Sequence, residues 1–221
     1  MVGRRTRVRS RSNSLSSRLR IRQHVNPLRA EYQKVRATAV ALPPGRPLEV
    51  ELGCADARFT LERASAEPER SFVGLEIREE MVHFINRKAR AAGLGNALLV
   101  FANMNFDLPA LFAQHPVARY HLLFPDPWFK KRHHKRRVVN PELMADLHST
   151  LEPGGEVSFA SDVWDVALDA MAVFEERDDL FVNMRGPWSF WPGSPFAARS
   201  RRDLACQRKG WPVWRMRYLK K

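Results

Sequence analysis

The stretch HLLFPDPWFKKRHHKRR, residues 121–137, combines residue types that could bind an anionic substrate and act on it chemically. Prolines on both sides of Asp126 end the preceding apolar run and restrict the backbone, so this carboxylate is expected to project from a rigid turn. Trp128 is available for stacking, and positions 130–137 hold six Lys or Arg and two His. Such a cluster suits phosphate contacts, which give affinity without sequence readout. A polar turn with a solvated basic loop is the alternative, but it explains the concentration of one sign of charge less well.

A second stretch, ELGCADARF, follows a predicted strand and contains one glycine, Gly53. A dinucleotide loop needs several glycines to cradle a pyrophosphate, so NAD is disfavoured. Glu76 ends the next predicted strand, where a carboxylate can accept hydrogen bonds from both hydroxyls of a ribose. A ligand with a ribose but no pyrophosphate fits this pair, and S-adenosyl-L-methionine is such a ligand, with its amino-acid moiety near Gly53. Capping of the following helix is the alternative role of Glu76.

Short apolar strands alternate with helices over most of the chain, and this order predicts how the candidate residues are positioned. Strands are predicted at 47–53, 71–77, 97–102, 118–124, 156–161 and 213–220. Helices are predicted at 57–67, 78–95 and 163–177, and from the N-cap Asn140 to a Pro-Gly-Gly stop at 153–155. The alternation favours an α/β fold with a parallel sheet covered on both faces. Ligands of such sheets bind past the carboxyl ends of the strands, which here are polar or acidic.

The composition favours an anionic partner. The chain of 221 residues has a net charge of +13 and a pI near 10.6, which points to nucleic acid ahead of a membrane surface. Two cysteines, Cys54 and Cys206, exclude a disulfide framework and a four-cysteine zinc site, and the adjacent His133 and His134 are poorly spaced as metal ligands. No apolar run approaches the ~18 residues of a membrane span, and no secretory signal is visible. A soluble, cytoplasmic protein without metal is therefore expected.

The domain organisation predicted from composition is a basic arm followed by one domain. Residues 1–20 contain seven arginines among serines and no acid, a composition that cannot bury a core. We therefore expect a disordered arm over 1–20 and a single domain over 21–221. A solvated tail without function and an organelle transit peptide are the alternatives for the arm, and the oligomeric state, monomer or homodimer, stays open.

The stretch FPDPWFKKRHHKRRVVNPEL resembles the signature of the bacterial single-chain tRNA (guanine-N7)-methyltransferases. The likeness extends over most of the chain, since RIRQHVNPLRAEYQ, LEVELGCADARF, FVGLEI and FASD are similar to other segments of that family. The resemblance implies a Rossmann-like class I methyltransferase fold. Its seven-stranded, mostly parallel sheet would end in an antiparallel hairpin of 181–184 with 213–220. It also implies methyl transfer from S-adenosyl-L-methionine to guanine N7 in the variable loop of tRNA.

The resemblance also assigns site residues, which join those proposed from charge and spacing. Cofactor contacts are expected from Glu51, Gly53, Glu76, Asn103 and Asp126, and substrate contacts from Lys130, Asp162, Ser200 and Asp203. Phosphate contacts are expected from Lys131, Arg132, Lys135, Arg136 and Arg137. Guanine N7 carries a lone pair and no proton, so the reaction needs alignment and a negative charge near the purine. We assign that catalytic charge to Asp126, with Asp162 and Asp203 assisting, and expect both cysteines to be packing residues.

Two departures from the family pattern leave alternatives open. Ala55 or a neighbour stands where the family's cofactor loop usually has a second glycine. The family's C-terminal Thr-x-Tyr/Phe-Glu motif appears as Ser200-Arg201-Arg202-Asp203, with a shorter acid and an arginine in place of the aromatic residue. A methyltransferase of the same fold acting on another RNA and a non-catalytic RNA-binding relative are therefore the competing hypotheses. A DNA-binding regulator is disfavoured because no helix-turn-helix or zinc-finger pattern is present.

Overall fold

The computed structural model describes residues 25–33 and 40–221, so the predicted arm over 1–20 lies outside the described residues. The strands are β1 (Leu48–Leu52), β2 (Ser71–Glu76), β3 (Ala97–Phe101), β4 (Val117–Leu123), β5 (Leu151–Ser161), β6 (Phe181–Asn183) and β7 (Trp214–Lys220). The helices are α1 (Ala30–Gln33), α2 (Arg58–Ala66), α3 (Glu79–Ala91), α4 (Leu108–Phe112), α5 (Pro141–Thr150), α6 (Trp164–Glu175) and α7 (Arg201–Lys209), with a 3₁₀ helix at Lys131–Arg136.

The seven strands form one sheet in the order β3-β2-β1-β4-β5-β7-β6. The first five strands run parallel, and β7 lies antiparallel between β5 and β6. The predicted hairpin forms, because Phe181 pairs with Lys220 and Asn183 with Tyr218. The seven-stranded, mostly parallel fold predicted from the sequence is therefore confirmed. No helix among the described residues has both the length and the apolar character needed to cross a membrane.

The local signals explain most element boundaries. Every residue of β1 and β2 is buried, as expected for central strands of a sheet covered on both faces. The predicted N-cap of α5 is present, since the Asn140 side chain accepts a hydrogen bond from the Leu143 backbone N–H at 2.8 Å and Pro141 takes the first helical position. Strand β5, however, begins at Leu151, so the Pro-Gly-Gly segment lies within a strand and not in a helix stop. The ladder with β4 shifts register beside it, and glycine fits such an irregularity.

Helix α7 has no counterpart among the elements predicted from the sequence. The apolar periodicity of this segment is weak, with Cys206 buried among polar residues. The end signals were nevertheless present. Ser200 accepts a hydrogen bond from the Asp203 backbone N–H at 3.2 Å, and Gly210 ends the helix in the left-handed region at φ 65°.

A ladder of alternating charges crosses the centre of the sheet. Arg119 on β4 lies between Glu49 on β1, at 2.9 Å, and Glu156 on β5, at 3.2 Å. Arg217 on β7 continues the ladder to Glu156 at 2.7 Å. Buried charges are tolerated when each is paired, so this ladder fixes the relative positions of four adjacent strands.

Glu49 is the most enclosed member of the ladder. Arg63 of α2 contacts it at 2.7 Å, and the His121 ring nitrogen Nε2 lies 2.9 Å from its other oxygen. Burial by itself raises the pKa of Glu49, but the hydrogen bond from His121 and the charges of Arg119 and Arg63 outweigh it and lower the pKa to about 2. The ring of Phe196 covers the cluster, with the Arg63 guanidinium 4.7 Å from its centroid.

Glu49→Gln is predicted to destabilise the protein at neutral pH, because two guanidinium groups lose their buried counter-charge. The pKa of Glu49 is depressed in the folded state. Its stabilising effect is therefore complete above pH 4.5 and is lost as pH falls toward 2. Urea unfolding should show a deficit of about 3 kcal/mol at pH 7 that narrows below pH 4.

Glu69→Gln, at an exposed turn, is the matched control, and its free energy of unfolding should equal that of wild type at pH 7 and at pH 3. A Glu49→Gln deficit that stayed constant from pH 7 to pH 3 would contradict the assigned role of the carboxylate.

Candidate active site

A cavity of about 510 Å³ lies at the carboxyl ends of β1, β2 and β4. Six of the predicted site residues line it, namely Glu51, Gly53, Glu76, Asn103, Asp126 and Ser200, together with the predicted phosphate contact Arg136. Lys130, Asp162 and Asp203 do not line it. The edge of the sheet where ligands were expected therefore carries a cavity large enough for a small cofactor.

The loop between β1 and α2 forms one wall, with an uncommon backbone. Gly53, Ala55 and Ala57 all have positive φ, of 73°, 51° and 50°. Non-glycine residues rarely adopt this region, at a cost of roughly 1–2 kcal/mol each. Ala55, which stands near the family's second glycine position, thus holds a conformation that glycine favours. The turn directs the Ala55 backbone N–H toward the Glu76 carboxylate at 3.0 Å.

Cys54 packs beneath this loop, as predicted. Its side chain is buried, and burial raises the pKa of the thiol well above its usual value, so the thiol stays neutral. Gly74 on β2 makes room for it, because a Cβ there would lie 2.7 Å from the Cys54 sulfur. Cys206 is also buried, but it lies in α7 and not in a loop.

Glu76 is held firmly at the end of β2. The Arg78 side chain donates to one carboxylate oxygen through Nε at 2.8 Å and to the other through Nη2 at 2.7 Å. The Arg78 backbone N–H also donates to Glu76 at 3.1 Å, just before α3 begins. Glu76 therefore lines the cavity and also binds the backbone of Arg78, the residue before α3, although no side chain caps that helix. A ligand hydroxyl that reaches this carboxylate must share it with Arg78.

Glu51 ends β1 in a fully enclosed position. Its carboxylate accepts hydrogen bonds from the backbone N–H of Thr60, at 3.2 Å, and from the Thr60 hydroxyl. Burial raises the pKa of Glu51 to about 8. The hydrogen bonds from Thr60 lower the pKa by less than burial raises it, and the charges of Asp56 and Glu76 add to the increase. A positively charged ligand group in the cavity would favour the ionised form.

Asn103 lines the cavity but already has partners for its amide. Its Nδ2 donates to the carbonyl oxygens of Pro27, at 3.0 Å, and Tyr32, at 3.2 Å. Its Oδ1 accepts from the backbone N–H of Asn105 at 3.2 Å. Asn103 therefore fastens the 25–33 segment over the cavity, and that segment contributes Val25 and Pro27 to the wall.

The Pro-Asp-Pro-Trp turn forms the opposite wall. Phe124 and Trp128, on either side of it, have positive φ of 55° and 42°, so the turn around Asp126 is strained as well as restricted by proline. The Arg136 guanidinium lies 5.0 Å from the centroid of the Trp128 ring. Arg137 donates to the Pro127 carbonyl at 3.2 Å and is ion-paired with Asp169. Asp126 therefore lines the cavity, and the residues that follow it in the turn are held by Arg136 and Arg137.

The predicted phosphate contacts do not share one environment. Lys130 and Arg132 are exposed, and Arg136 lies against Trp128 at the cavity. Arg137 is nine-tenths buried, so it supports the turn and does not present its charge to a ligand surface. The side chains of Lys131 and Lys135 lie outside the described part of the chain. The basic block therefore contains exposed residues, Lys130 and Arg132, and one residue, Arg137, whose largely buried side chain supports the turn.

Three predicted substrate contacts have structural partners instead. Asp162 pairs with Arg202, whose Nε lies 3.1 Å from the carboxylate. Asp203 is buried and pairs with Arg215 at 2.7 Å, and the Ser200 hydroxyl caps α7. Of these residues only Ser200 reaches the cavity wall, so the assisting roles expected for the two acids find no support in the geometry.

Several cavity residues were missed by the sequence reasoning. Arg201 of α7 pairs with Asp56 of the β1–α2 loop at 2.6 Å, which closes one side of the cavity. Arg58 and Arg202 also line it. The capping signals of α7 could have revealed that Arg201 and Arg202 share the first turn of a helix. No cluster of His, Cys, Asp or Glu suited to a metal ion occurs within residues 25–33 and 40–221.

Comparisons with known proteins agree with this arrangement. A family model described as "Putative methyltransferase" matches residues 45–216. A tRNA (guanine-N(7)-)-methyltransferase of Synechococcus sp. (strain JA-3-3Ab) is 40% identical over 205 residues, covering 89% of this chain and 84% of the relative. The enzyme of the same name from a Synechocystis strain is also 40% identical, covering 90% of this chain and 96% of the relative.

Solved structures give the same fold at low sequence identity. The 16S rRNA methyltransferase KamB superposes with a TM-score of 0.59 at 16% identity, covering 84% of this chain and 99% of that chain. The aminoglycoside resistance methyltransferase NpmB1 gives a TM-score of 0.55 at 16% identity, covering 80% and 88% of the two chains. These likenesses establish the fold.

Glu51→Gln is predicted to stabilise the protein increasingly as pH rises from 5 to 8. The raised pKa means that the folded state retains a proton that the unfolded chain releases above its ordinary value of 4.5, so wild-type stability falls over this window. The glutamine variant should gain at least about 1 kcal/mol relative to wild type between pH 5 and pH 8 in urea unfolding.

The exposed Glu69→Gln variant should show no such pH-dependent difference from wild type. A constant difference between Glu51→Gln and wild type would show that the Glu51 carboxyl ionises normally in the folded protein.

Proposed function

We propose a specific reaction for this chain, which belongs to the tRNA (guanine-N(7)-)-methyltransferase family: transfer of a methyl group from S-adenosyl-L-methionine to N7 of a guanine in tRNA. The observation that carries the proposal is the cavity shared by Glu51, Glu76 and Asp126 at the carboxyl edge of the sheet. The guanine is proposed to lie in the variable loop, as the family resemblance implies.

The polar residues that line the cavity suit S-adenosyl-L-methionine. Glu76 lines the cavity at the end of β2, where acids accept hydrogen bonds from ribose hydroxyls in related folds. Glu51 on β1 keeps its proton at neutral pH in the free protein and can ionise when a positively charged ligand group lies beside it. Gly53 also lines the cavity, where a residue without a side chain lets the backbone come close to a ligand. The bound cofactor supplies an electrophilic methyl group on a sulfonium sulfur.

The protein's task in this reaction is alignment and electrostatic support. Guanine N7 attacks with its own lone pair, so no side chain has to remove a proton first. Positive charge develops on the purine, and the Asp126 carboxylate on its proline-held turn is positioned to stabilise it. A carboxylate can also accept hydrogen bonds from the N1 and N2 protons of guanine, which would orient the base.

The surface around the cavity fits an RNA backbone. Lys130 and Arg132 are exposed beside the turn, and Arg136 and Arg202 reach the cavity itself. Cations of this kind bind phosphates irrespective of sequence. Methylation of a different RNA by this chain is the second candidate function. The observation that favours it is the ion pair of Arg202 with Asp162, because Asp162 was expected to contact the substrate.

Wild-type protein is expected to transfer a labelled methyl group to unmodified tRNA, with the product mapped to 7-methylguanosine in the variable loop. The same assay on total RNA distinguishes the two candidate functions. Modification of ribosomal RNA with no change in tRNA would favour the second candidate and overturn the first.

Asp126→Asn is predicted to lower kcat for tRNA methylation by about 100-fold or more, because it removes the charge that supports the developing cation. The Kd for tRNA should stay within about threefold of wild type, since Asp126 carries no phosphate contact. Asp178→Asn, on an exposed loop, is the matched control and should keep full activity. Loss of tRNA binding with unchanged single-turnover chemistry would contradict the role given to Asp126.

A further inference from the structure

An exposed tryptophan lies close to two cations, one of which lines the cavity. Trp211 is 44% exposed, and the Lys209 ammonium lies 4.1 Å from its ring centroid. The Arg202 guanidinium lies 5.4 Å from the same centroid. We call these three residues the Trp211 platform.

The platform is held rigidly. Gly210 ends α7 in the left-handed region, and the Trp211 backbone N–H then donates to the Cys206 carbonyl at 3.0 Å. Closing hydrogen bonds of this kind fix the chain that leaves a helix. The ion pair with Asp162 restrains the Arg202 side chain, which is one of the two cations beside the ring. The ring therefore needs little ordering before it receives a ligand.

The platform is also continuous with the cavity, because Arg202 belongs to both. Its side chain lines the cavity wall and contacts the Trp211 ring. A polymer whose reacting base entered the cavity would pass Arg202 and then meet Trp211. Arg208 and Lys209 add positive charge in the last turn of α7, next to Trp211.

We propose that the Trp211 platform stacks a nucleobase of the substrate RNA next to the guanine that enters the cavity. The inference rests on the proposed function, in which that RNA is tRNA. Every nucleobase offers a π-face to an aromatic ring, and the phosphates beside it pair with flanking cations. A protein partner is disfavoured, because the centres of protein interfaces are depleted in lysine, whereas here a lysine ammonium lies directly against the ring.

Trp211→Ala tests the proposal in steady-state methylation of unmodified tRNA. The KM for tRNA should rise by roughly 5- to 150-fold, the effect of removing one base-stacking ring. The value of kcat should change less than twofold, and the calorimetric Kd for S-adenosyl-L-methionine should not change. Trp211→Phe, which keeps a ring, should restore most of the affinity.

Trp188→Ala is the matched control, because Trp188 is 58% exposed on a loop and has no ring or cation contact within the described residues. Its KM for tRNA should equal that of wild type. A wild-type KM for Trp211→Ala, or an equal rise in both variants, would overturn the proposal.

Salt dependence separates stacking from charge. The slope of log Kd for tRNA against log salt should be the same in Trp211→Ala and wild type, since stacking releases no counterions. Lys209→Gln should reduce the magnitude of that slope by about one. A change of slope in Trp211→Ala would indicate that the ring only positions the cations, which would contradict the stacking role.

Two further outcomes are distinguishable. If wild-type protein transfers no methyl group to tRNA, the proposed function fails. The platform is then still tested by the affinity of Trp211→Ala for the same tRNA in a gel-shift titration. If light scattering shows that Trp211→Ala converts a dimer to a monomer with no direct effect on RNA affinity, the ring belongs to an interface between copies and the proposal is overturned.

Discussion

Removal of the glutamates of β1 and β2 from water is the constraint on which the structure depends. Glu49 and Glu51 lie two residues apart on β1, and Glu76 ends β2, all nearly inaccessible to solvent. The fold accommodates these three buried carboxyl groups in three different ways. The hydrogen bond from His121 and the charges of Arg119 and Arg63 lower the pKa of Glu49 to about 2, whereas burial raises that of Glu51 to about 8. Arg78 and a backbone N–H hold Glu76 in place. Glu49 therefore belongs to the ladder of charges, whereas Glu51 and Glu76 line the cavity.

Backbone strain accompanies this division. Ala55 and Ala57 on one wall of the cavity, and Phe124 and Trp128 on the other, all adopt left-handed φ values. Such residues persist only where the surrounding structure determines them, and they cluster at functional sites. Here the packed Cys54 and the ladder of charges supply the rigid support. The two walls therefore face each other in fixed positions before any ligand is bound.

The positive charge of the chain serves two purposes that composition does not separate. Arg63, Arg119 and Arg217 neutralise buried acids and hold strands together. Lys130 and Arg132 remain at the surface, near the cavity, where an RNA backbone would lie. Helix α7 joins the two groups, because Arg201 closes the cavity against Asp56 while Arg202 and Lys209 flank Trp211. The net charge alone overstates the number of cations available to a partner.

The sequence by itself determined the sheet, its acidic carboxyl edge and the turn around Asp126, because strand periodicity, helix caps and proline act over a few neighbouring residues. It did not determine which acids face the cavity. Asp203 meets Arg215 only because α7 packs beside β7, and Asn103 meets Pro27 only because the 25–33 segment crosses the cavity. Helix α7 itself was missed, since its polar sequence carries capping signals but little apolar periodicity. The opposite pKa shifts of Glu49 and Glu51 likewise depend on the rest of the fold, since His121 and two arginines lower the pKa of Glu49 whereas burial raises that of Glu51. Which side chains meet is decided by the packing of distant segments, and that information is absent from local pattern.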